Sequence, residues 1–259
     1  MSSSLEASGS TSLPWANLVT FPEHRLEILP GPESHHFWHA PRRYLLSRLI
    51  QRYQSHIGIN SAFIDIGCGN GALVTLLRRR GIDAFGVDPY AASQGMNPQV
   101  FTQATAENLP FVSGSQTRVG MFDVLEHVDD PTCLREAFRV LKPGGLLFLS
   151  VPACPCLWSE RDEIAGHRRR YTRRSLRRAL TDSGFQVESM FGYQVLLLPL
   201  LVCSRWWGRG RARSVDVEDL PPPWINTLLS IPNWLEVLLI PWIRFPIGSS
   251  LVAICRSPL

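Results

Sequence analysis

The run Asp65-Ile66-Gly67-Cys68-Gly69-Asn70-Gly71 carries the densest chemical signal in the chain. It follows an apolar, strand-like stretch and opens an amphipathic one. Its glycines therefore occupy a strand-to-helix turn, where backbone without Cβ atoms lets a ligand approach closely. Asp88 closes the next apolar run, about twenty residues on, the distance at which a carboxylate accepts hydrogen bonds from ribose hydroxyls. Together they point to a nucleoside-bearing cofactor, against the plain alternative of a ligand-free turn. Spacing narrows the choice: dinucleotide turns read GxGxxG, whereas this one reads GxGxG with a carboxylate two positions before its first glycine. A cationic sulfonium with an amino-acid tail suits Asp65 better than a pyrophosphate does, which disfavours a nicotinamide-dependent oxidoreductase.

Further runs recur in order along the chain: GVDP at 86–89, AENLPF at 106–111, DVLEHVDDP at 123–131 and LKPGG at 141–145. With the glycine turn, these resemble the ordered motifs of class I S-adenosylmethionine-dependent methyltransferases, firmly over residues 61–151. The resemblance implies an α/β fold: a Rossmann-like, mostly parallel seven-stranded sheet with helices on both faces and an antiparallel last strand. It implies S-adenosyl-L-methionine as cofactor, with Asp65, Gly67, Cys68 and Gly69 at its methionine end and Asp88 and Pro89 at its ribose. Thr105, Ala106 and Glu107 would border the adenine, and Phe122 and Asp123 would close the site at strand four. Many relatives carry an aspartate where Thr105 stands, and the threonine hydroxyl can accept a hydrogen bond in its place.

In open α/β sheets ligands bind beyond the carboxyl ends of the strands, so the acceptor belongs after strands four and five. Glu126 and His127 follow strand four; Trp158, Asp162, His167, Arg169, Arg170 and Tyr171 follow strand five. The run LWSERDEIAGHRRRY resembles a bacterial methyltransferase subgroup with W-S-x-x-D and G-H-x-R-R-Y segments. The same subgroup is matched by His36-Phe37-Trp38, which brings Trp38 to the acceptor side, and by the run from Pro246 to Leu251. Methyl transfer is an in-line displacement driven mainly by positioning, and a base is needed only where the acceptor loses a proton. Histidine titrates near neutrality, making His167 the first candidate base and His127 the second, with a turn-shaping role as the alternative for His127. No metal is expected: of His35, His36 and His39, only the first and last share a helix face.

The elements that must position these groups follow from alternation of short apolar runs with longer amphipathic ones, the pattern of βαβ units. Strands are expected at 61–66, 83–88, near 100–103, near 117–123, at 146–151, at 185–191 and at 249–255. Helices are expected over 35–57, from the glycine turn to Gly81, from Pro131 to Leu141 and from Thr172 to about Ser183. LKPGG reads as a turn. Residues 1–34 read as a flexible tail and lead-in without the pattern of a secretory signal. The methyltransferase domain is expected to comprise 35–194 and 247–259, interrupted by an apolar helical insert at 195–246.

That insert joins two strongly apolar pieces, and neither reads as a membrane span because one is short and the other is broken by Pro232, Asn233, Glu236 and Pro241. Its tryptophans suit a lid at a membrane surface, and buried helices capping the sheet explain the same letters. The chain has 259 residues, is 45% hydrophobic and 19% charged, and so is globular rather than disordered. Its six scattered cysteines form no framework, which fits the cytoplasm, with peripheral membrane association open. A net charge of +4 is too small to argue for nucleic acid. Seven arginines nevertheless crowd into 168–178, a basic face that is either solvated or turned to an anionic membrane surface. The expected activity is methyl transfer, to oxygen, of a hydrophobic or lipid-linked acceptor. A small aromatic or quinone-type acceptor, or a non-catalytic cofactor-binding module docking to a membrane partner, are the alternatives.

Overall fold

The computed structural model describes residues 35–53, 61–92, 94–207 and 221–259. The expected tail over 1–34 and the polar linker around Val215 lie outside the described residues. Seven strands form one sheet in the order β3-β2-β1-β4-β5-β7-β6: β1 (Phe63–Ile66), β2 (Ala84–Asp88), β3 (Phe101–Gln103), β4 (Gln116–Phe122), β5 (Leu141–Pro152), β6 (Gln186–Tyr193) and β7 (Ser250–Arg256). The first five run parallel, and β7 enters antiparallel between β5 and β6. Central β1 is buried along its whole length, as a strand covered on both faces must be.

Strand alternation splits the core into two layers. On one face, Ile64, Ile66, Met121, Leu147 and Leu149 pack with Leu134 and Ala137 of α3 (Asp130–Val140) and Leu176 and Leu180 of α5 (Arg173–Asp182). On the other, Phe63, Phe148, Phe191 and Ile254 pack with α1 (His39–Arg52), α2 (Ala72–Arg79) and α7 (Pro223–Leu239). Local signals start these helices: Asp129 caps α3 by accepting from Thr132 N at 3.3 Å, and Thr172 caps α5 by accepting from Ser175 N at 3.0 Å. The short α4 (Glu160–Ile164) and α6 (Leu198–Trp207) complete the described helices. On α5, Arg173, Arg174, Arg177 and Arg178 face solvent, while its buried stripe is Leu176 and Leu180.

Two expectations are corrected. LKPGG is not a turn ahead of its strand: β5 starts at Leu141, opposite Gln116, and pairing resumes only at Leu146 opposite Arg118, so 142–145 bulge out of the ladder. The bulge is held by Gly144 N donating to Ser257 O at 2.9 Å and by Arg256 donating to Gly144 O at 2.8 Å. The other concerns His35 and His39, which do not align on a helix face because α1 begins only at His39. Instead the His36 and His39 rings pair at 5.0 Å.

Helices α6 and α7 lie between β6 and β7 in the chain, as the expected insert does. Gly192 makes the return possible: a Cβ there would meet Ile247 O at 1.8 Å, and Gly192 N donates to Phe245 O at 2.7 Å. One face of α7 is pinned by polar contacts to the segment ahead of α1. Asn226 Oδ1 accepts from Phe37 N, and Asn233 donates to Phe37 O, each at 2.8 Å. Trp234 meets Tyr44 edge-on at 5.3 Å. Buried Glu236 accepts from Val195 N at 2.9 Å and Leu196 N at 3.3 Å, tying α7 to the lead-in of α6. The opposite face is exposed among the described residues. Among the described residues no helix is long and apolar enough to cross a membrane.

Phe148 bridges the second layer, edge-on to both Tyr53 and Phe63. Phe148→Ala is expected to cost about 3–5 kcal/mol, the range for emptying a buried aromatic site. A urea denaturation midpoint lowered at unchanged slope would show it.

Candidate active site

The glycine turn is built as its letters suggest. Gly67 N and Cys68 N donate to Val87 O at 2.7 and 3.2 Å, which folds the turn over the end of β2. Gly67, Gly69 and Gly71 all have positive φ, at 71°, 52° and 72°. At Gly67 a side chain is also excluded by space, because its Cβ would lie 2.5 Å from a Val124 methyl. Asp88 is bound into the turn, its Oδ2 accepting from Gly69 N and its Oδ1 from Tyr90 N, both at 2.9 Å. Burial raises its pKa to about 6 against those two donors.

Asp65, on β1, is buried beside it. Burial lifts its pKa to about 8, with Asp88 adding to the rise and Arg42 opposing it. A carboxyl held in this state is primed to ionise against an incoming cation. Burial likewise pushes the Cys68 thiol well above its ordinary range, so Cys68 packs as a neutral side chain. Thr105 and Ala106 are buried after β3, where Thr105 pairs with Asn108. Helix α3 braces this loop, Glu136 accepting from Leu109 N at 2.8 Å and Arg139 donating to Phe111 O at 2.8 Å. Glu107 is half-buried beside Cys133, and Pro89 half-buried next to Asp88.

Phe122 stacks on Phe63 at 6.5 Å, and Asp123 follows with φ 57°. Asp123 is held by Arg42 of α1 at 2.7 Å, and the same guanidinium donates to Ser150 Oγ at 2.7 Å. Arg42 went unnoticed in the sequence. Its signal was there: it falls at helical spacing on the apolar stripe of Leu45, Leu46 and Leu49, where a charge demands a partner.

The segment 158–171 folds back onto the loop after β4. Asp162 Oδ2 accepts from Ser159 N at 2.9 Å, while its Oδ1 accepts from His167 Nδ1 at 2.9 Å and Arg170 Nε at 2.7 Å. Burial alone would raise the pKa of Asp162, but these donors outweigh it and hold the carboxylate down at about 2. Arg170 also donates to Ala153 O at 3.1 Å, and Arg169 pairs with Asp130. Tyr171 is buried, its hydroxyl donating to Asp130 Oδ2 at 3.1 Å and lying 3.2 Å from Leu125 O. The side chains of Arg169, Arg170 and Tyr171 are thus engaged by protein. Trp158 lies half-buried with its indole N donating to Glu163 at 3.3 Å. Trp38 lies half-buried ahead of α1, its N–H 3.2 Å from His36 Nδ1.

The fold-back sets His167 edge-on to His127 at 4.9 Å between ring centres. His127 Nδ1 lies 3.3 Å from Gly166 O, and burial lowers its pKa to about 4, with His167 adding to the fall. Fully buried Glu126 completes the group, its pKa raised well above the ordinary range by burial and by Asp123. The two candidate bases are therefore neighbours, and Glu126 joins them.

A βαβ sheet of this strand order, with a glycine turn after β1 and a buried acid ending β2, has the architecture of the class I S-adenosylmethionine-dependent methyltransferases. The family profile described as "Methyltransferase domain" matches residues 37–190, and the chain belongs to that family. A ubiquinone biosynthesis O-methyltransferase of Pseudomonas fluorescens is 36% identical over 101 residues, covering 34% of this chain and 42% of the relative. The chain thus spans about two fifths of the length of that relative. Among solved structures, a Haloferax volcanii complex of a methyltransferase with the activator Trm112 superposes with TM-score 0.54 at 19% identity, over 95% of this chain and 96% of that one. An S-adenosylmethionine-dependent methyltransferase of Archaeoglobus fulgidus gives 0.51 at 16%, over 83% and 94%. These likenesses show the shared fold.

The residues fit S-adenosylmethionine: buried Asp65, beside the glycine turn, matches a cationic amino group. Between the ordinary carboxyl value of 3.8 and about 8, folded Asp65 keeps a proton that the unfolded chain has lost. Its contribution to stability therefore falls as pH rises through that window. A cationic ligand expels the proton, so affinity for S-adenosylhomocysteine should tighten from pH 6.5 to 8, by up to about tenfold per pH unit. Calorimetry across that range checks it, and Asp65→Asn should flatten the dependence.

Proposed function

We propose that this chain transfers a methyl group from S-adenosylmethionine to an oxygen of a hydrophobic or lipid-linked acceptor. The observation that carries the reading is the Glu126, His127 and His167 group at the carboxyl end of β4, next to the glycine turn through Val124. Bound S-adenosylmethionine supplies a sulfonium-activated methyl group. Asp65, Gly67, Cys68 and Gly69 hold its amino-acid end, Asp88 and Pro89 its ribose, and Thr105, Ala106 and Glu107 border its adenine. Phe122 and Asp123 close the site, and Arg42 fixes Asp123 from above.

The acceptor hydroxyl loses its proton at the Glu126–His127–His167 group. Asp162 orients His167 and keeps the proton of that ring on Nδ1, leaving the lone pair on Nε2. Arg169, Arg170 and Tyr171 position this segment, and Trp38 and Trp158 flank the acceptor. Residues 35–194 and 247–259 form the catalytic domain, with 195–246 as a lid. The name of the Pseudomonas relative supports oxygen as the methylated atom and a lipid-linked quinone precursor as the acceptor class.

The lid favours an apolar acceptor drawn from a membrane surface. Trp224, Leu228, Ile231, Leu235, Leu238 and Trp242 recur three or four residues apart, and all are exposed. The only charged residue of α7, Glu236, is buried on the other face. Such a stripe, with tryptophan at both ends, suits the boundary between headgroups and acyl chains. On this reading the protein works at the cytoplasmic surface of a membrane.

The test is transfer of labelled methyl from S-adenosylmethionine to a polyprenylated catechol in micelles, beside a water-soluble catechol. The apolar acceptor should be preferred, and His167→Asn should lower kcat about 10²- to 10⁴-fold with S-adenosylhomocysteine binding intact. Transfer indifferent to His167 would refute the role given to the group. Vesicles with anionic lipid should sediment the protein, and Leu235→Asp with Leu238→Asp should release it. Equal sedimentation of the double variant would refute docking through α7.

A further inference from the structure

Glu126, His127 and His167 place one carboxylate oxygen and two imidazole nitrogens within 4.8 Å of one another. Three observations set this group apart from chance crowding. The Glu126 carboxyl is fully buried, and neither of its oxygens has a hydrogen-bond partner among the described residues. Buried polar groups are nearly always paired, and an exception calls for a missing partner such as an ion.

His167 Nδ1 is fixed by Asp162 Oδ1 at 2.9 Å, and that carboxylate is anchored in turn by Arg170. His127 Nδ1 faces the carbonyl of Gly166 at 3.3 Å, an oxygen that only accepts. Both rings therefore carry their proton on Nδ1 and their lone pair on Nε2. Metal-binding histidines are held in this way, the second ring nitrogen donating to a carboxylate or a backbone carbonyl.

We propose that Glu126, His127 and His167 bind one divalent transition-metal ion whose open positions receive the acceptor oxygen. Two imidazoles and a carboxylate suit zinc, iron, manganese or cobalt ions, and leave coordination positions vacant. Donors bonded at about 2.1 Å to one ion lie about 3–3.5 Å apart, so binding draws the three side chains closer together. The role in catalysis rests on the methyl-transfer reading, whereas the site itself does not. With the ion in place the histidines act as ligands, and the coordinated hydroxyl releases its proton to water. The oxygen lone pair then forms the new O–CH₃ bond while the S–CH₃ bond breaks. Sulfur keeps that electron pair, and neutral S-adenosylhomocysteine leaves.

The experiment is Co²⁺ titration of chelator-stripped protein, read by visible absorption. One ion per chain should bind, with a spectrum distinct from that of aqueous Co²⁺. Glu126→Gln and His167→Asn should each weaken binding at least about 100-fold, and Asp162→Asn about 10- to 100-fold. S-adenosylhomocysteine binding, measured on every variant, reports that each one folds. A wild-type spectrum identical to that of the aqueous ion, or equal affinity in folded variants, would overturn the site. Methyl transfer at full rate after stripping would overturn the catalytic role of the metal and leave the methyl-transfer reading standing. Co²⁺ binding by a protein that never binds S-adenosylhomocysteine would support the site and sink that reading instead.

Discussion

The carboxylate of Asp162 holds the acceptor side of this molecule together. It closes the start of α4 through Ser159 N, fixes the ring of His167 and anchors Arg170, all from a buried position. Charge-assisted bonds in such surroundings are stronger than neutral ones, and a buried charge is tolerated only when they are complete. Without that carboxylate, Arg170 would be a half-stranded cation and His167 would lose its tautomer and its direction. The whole 158–171 segment lies against the β4 loop because of this hub, with Tyr171 and Arg169 fastening its far end to Asp130.

A second constraint is the concentration of carboxyls at one end of the sheet. Asp65, Asp88, Asp123 and Glu126 all sit where β1, β2 and β4 end, and burial raises the pKa of three of them: Asp65, Asp88 and Glu126. Parallel strands bring this about, because every carboxyl end points the same way and the turns that follow are neighbours. Arg42 is the counterweight, reaching from α1 to Asp123 and Ser150 and lowering the cost of ionising Asp65 and Glu126. A site in this condition is unfavourable for the folded chain by itself and becomes favourable when cations occupy it, a pattern common where binding is the purpose of the strain.

Helix α7 resolves a conflict between its two faces. Asn226, Asn233 and Glu236 spend their hydrogen bonds on backbone groups of the segments at 35–37 and 195–196, so its inner face is polar and specific. Its outer face is apolar and exposed among the described residues. The helix can thus cap the second core layer while offering a continuous apolar stripe outward, which is the basis of the lid proposal.

The glycine turn, Asp88 as the end of β2, the helix beginning near Thr172 and the strand-helix alternation were all legible in the chain. Each depends on residues a few positions apart, and backbone sterics and capping hydrogen bonds act over that range. The insertion of β7 between β5 and β6, the bulge at 142–145 and the pairing of His36 with His39 were not, since each is set by what packs alongside. The same holds for the site. His127 and His167 were recognisable by type and place, but their ring contact, the burial of Glu126 beside them and the inward turn of Tyr171 arise only when the 158–171 segment docks on the β4 loop. Arg42 shows the boundary most clearly: the sequence marks it as a charge on an apolar stripe, and only the packing of α1 over the strand ends decides that its partners are Asp123 and Ser150. Local chemistry determined which ligand class the first half of the sheet could take. Long-range burial, which decides which charges must be paired and with what, determined how the acceptor side was built.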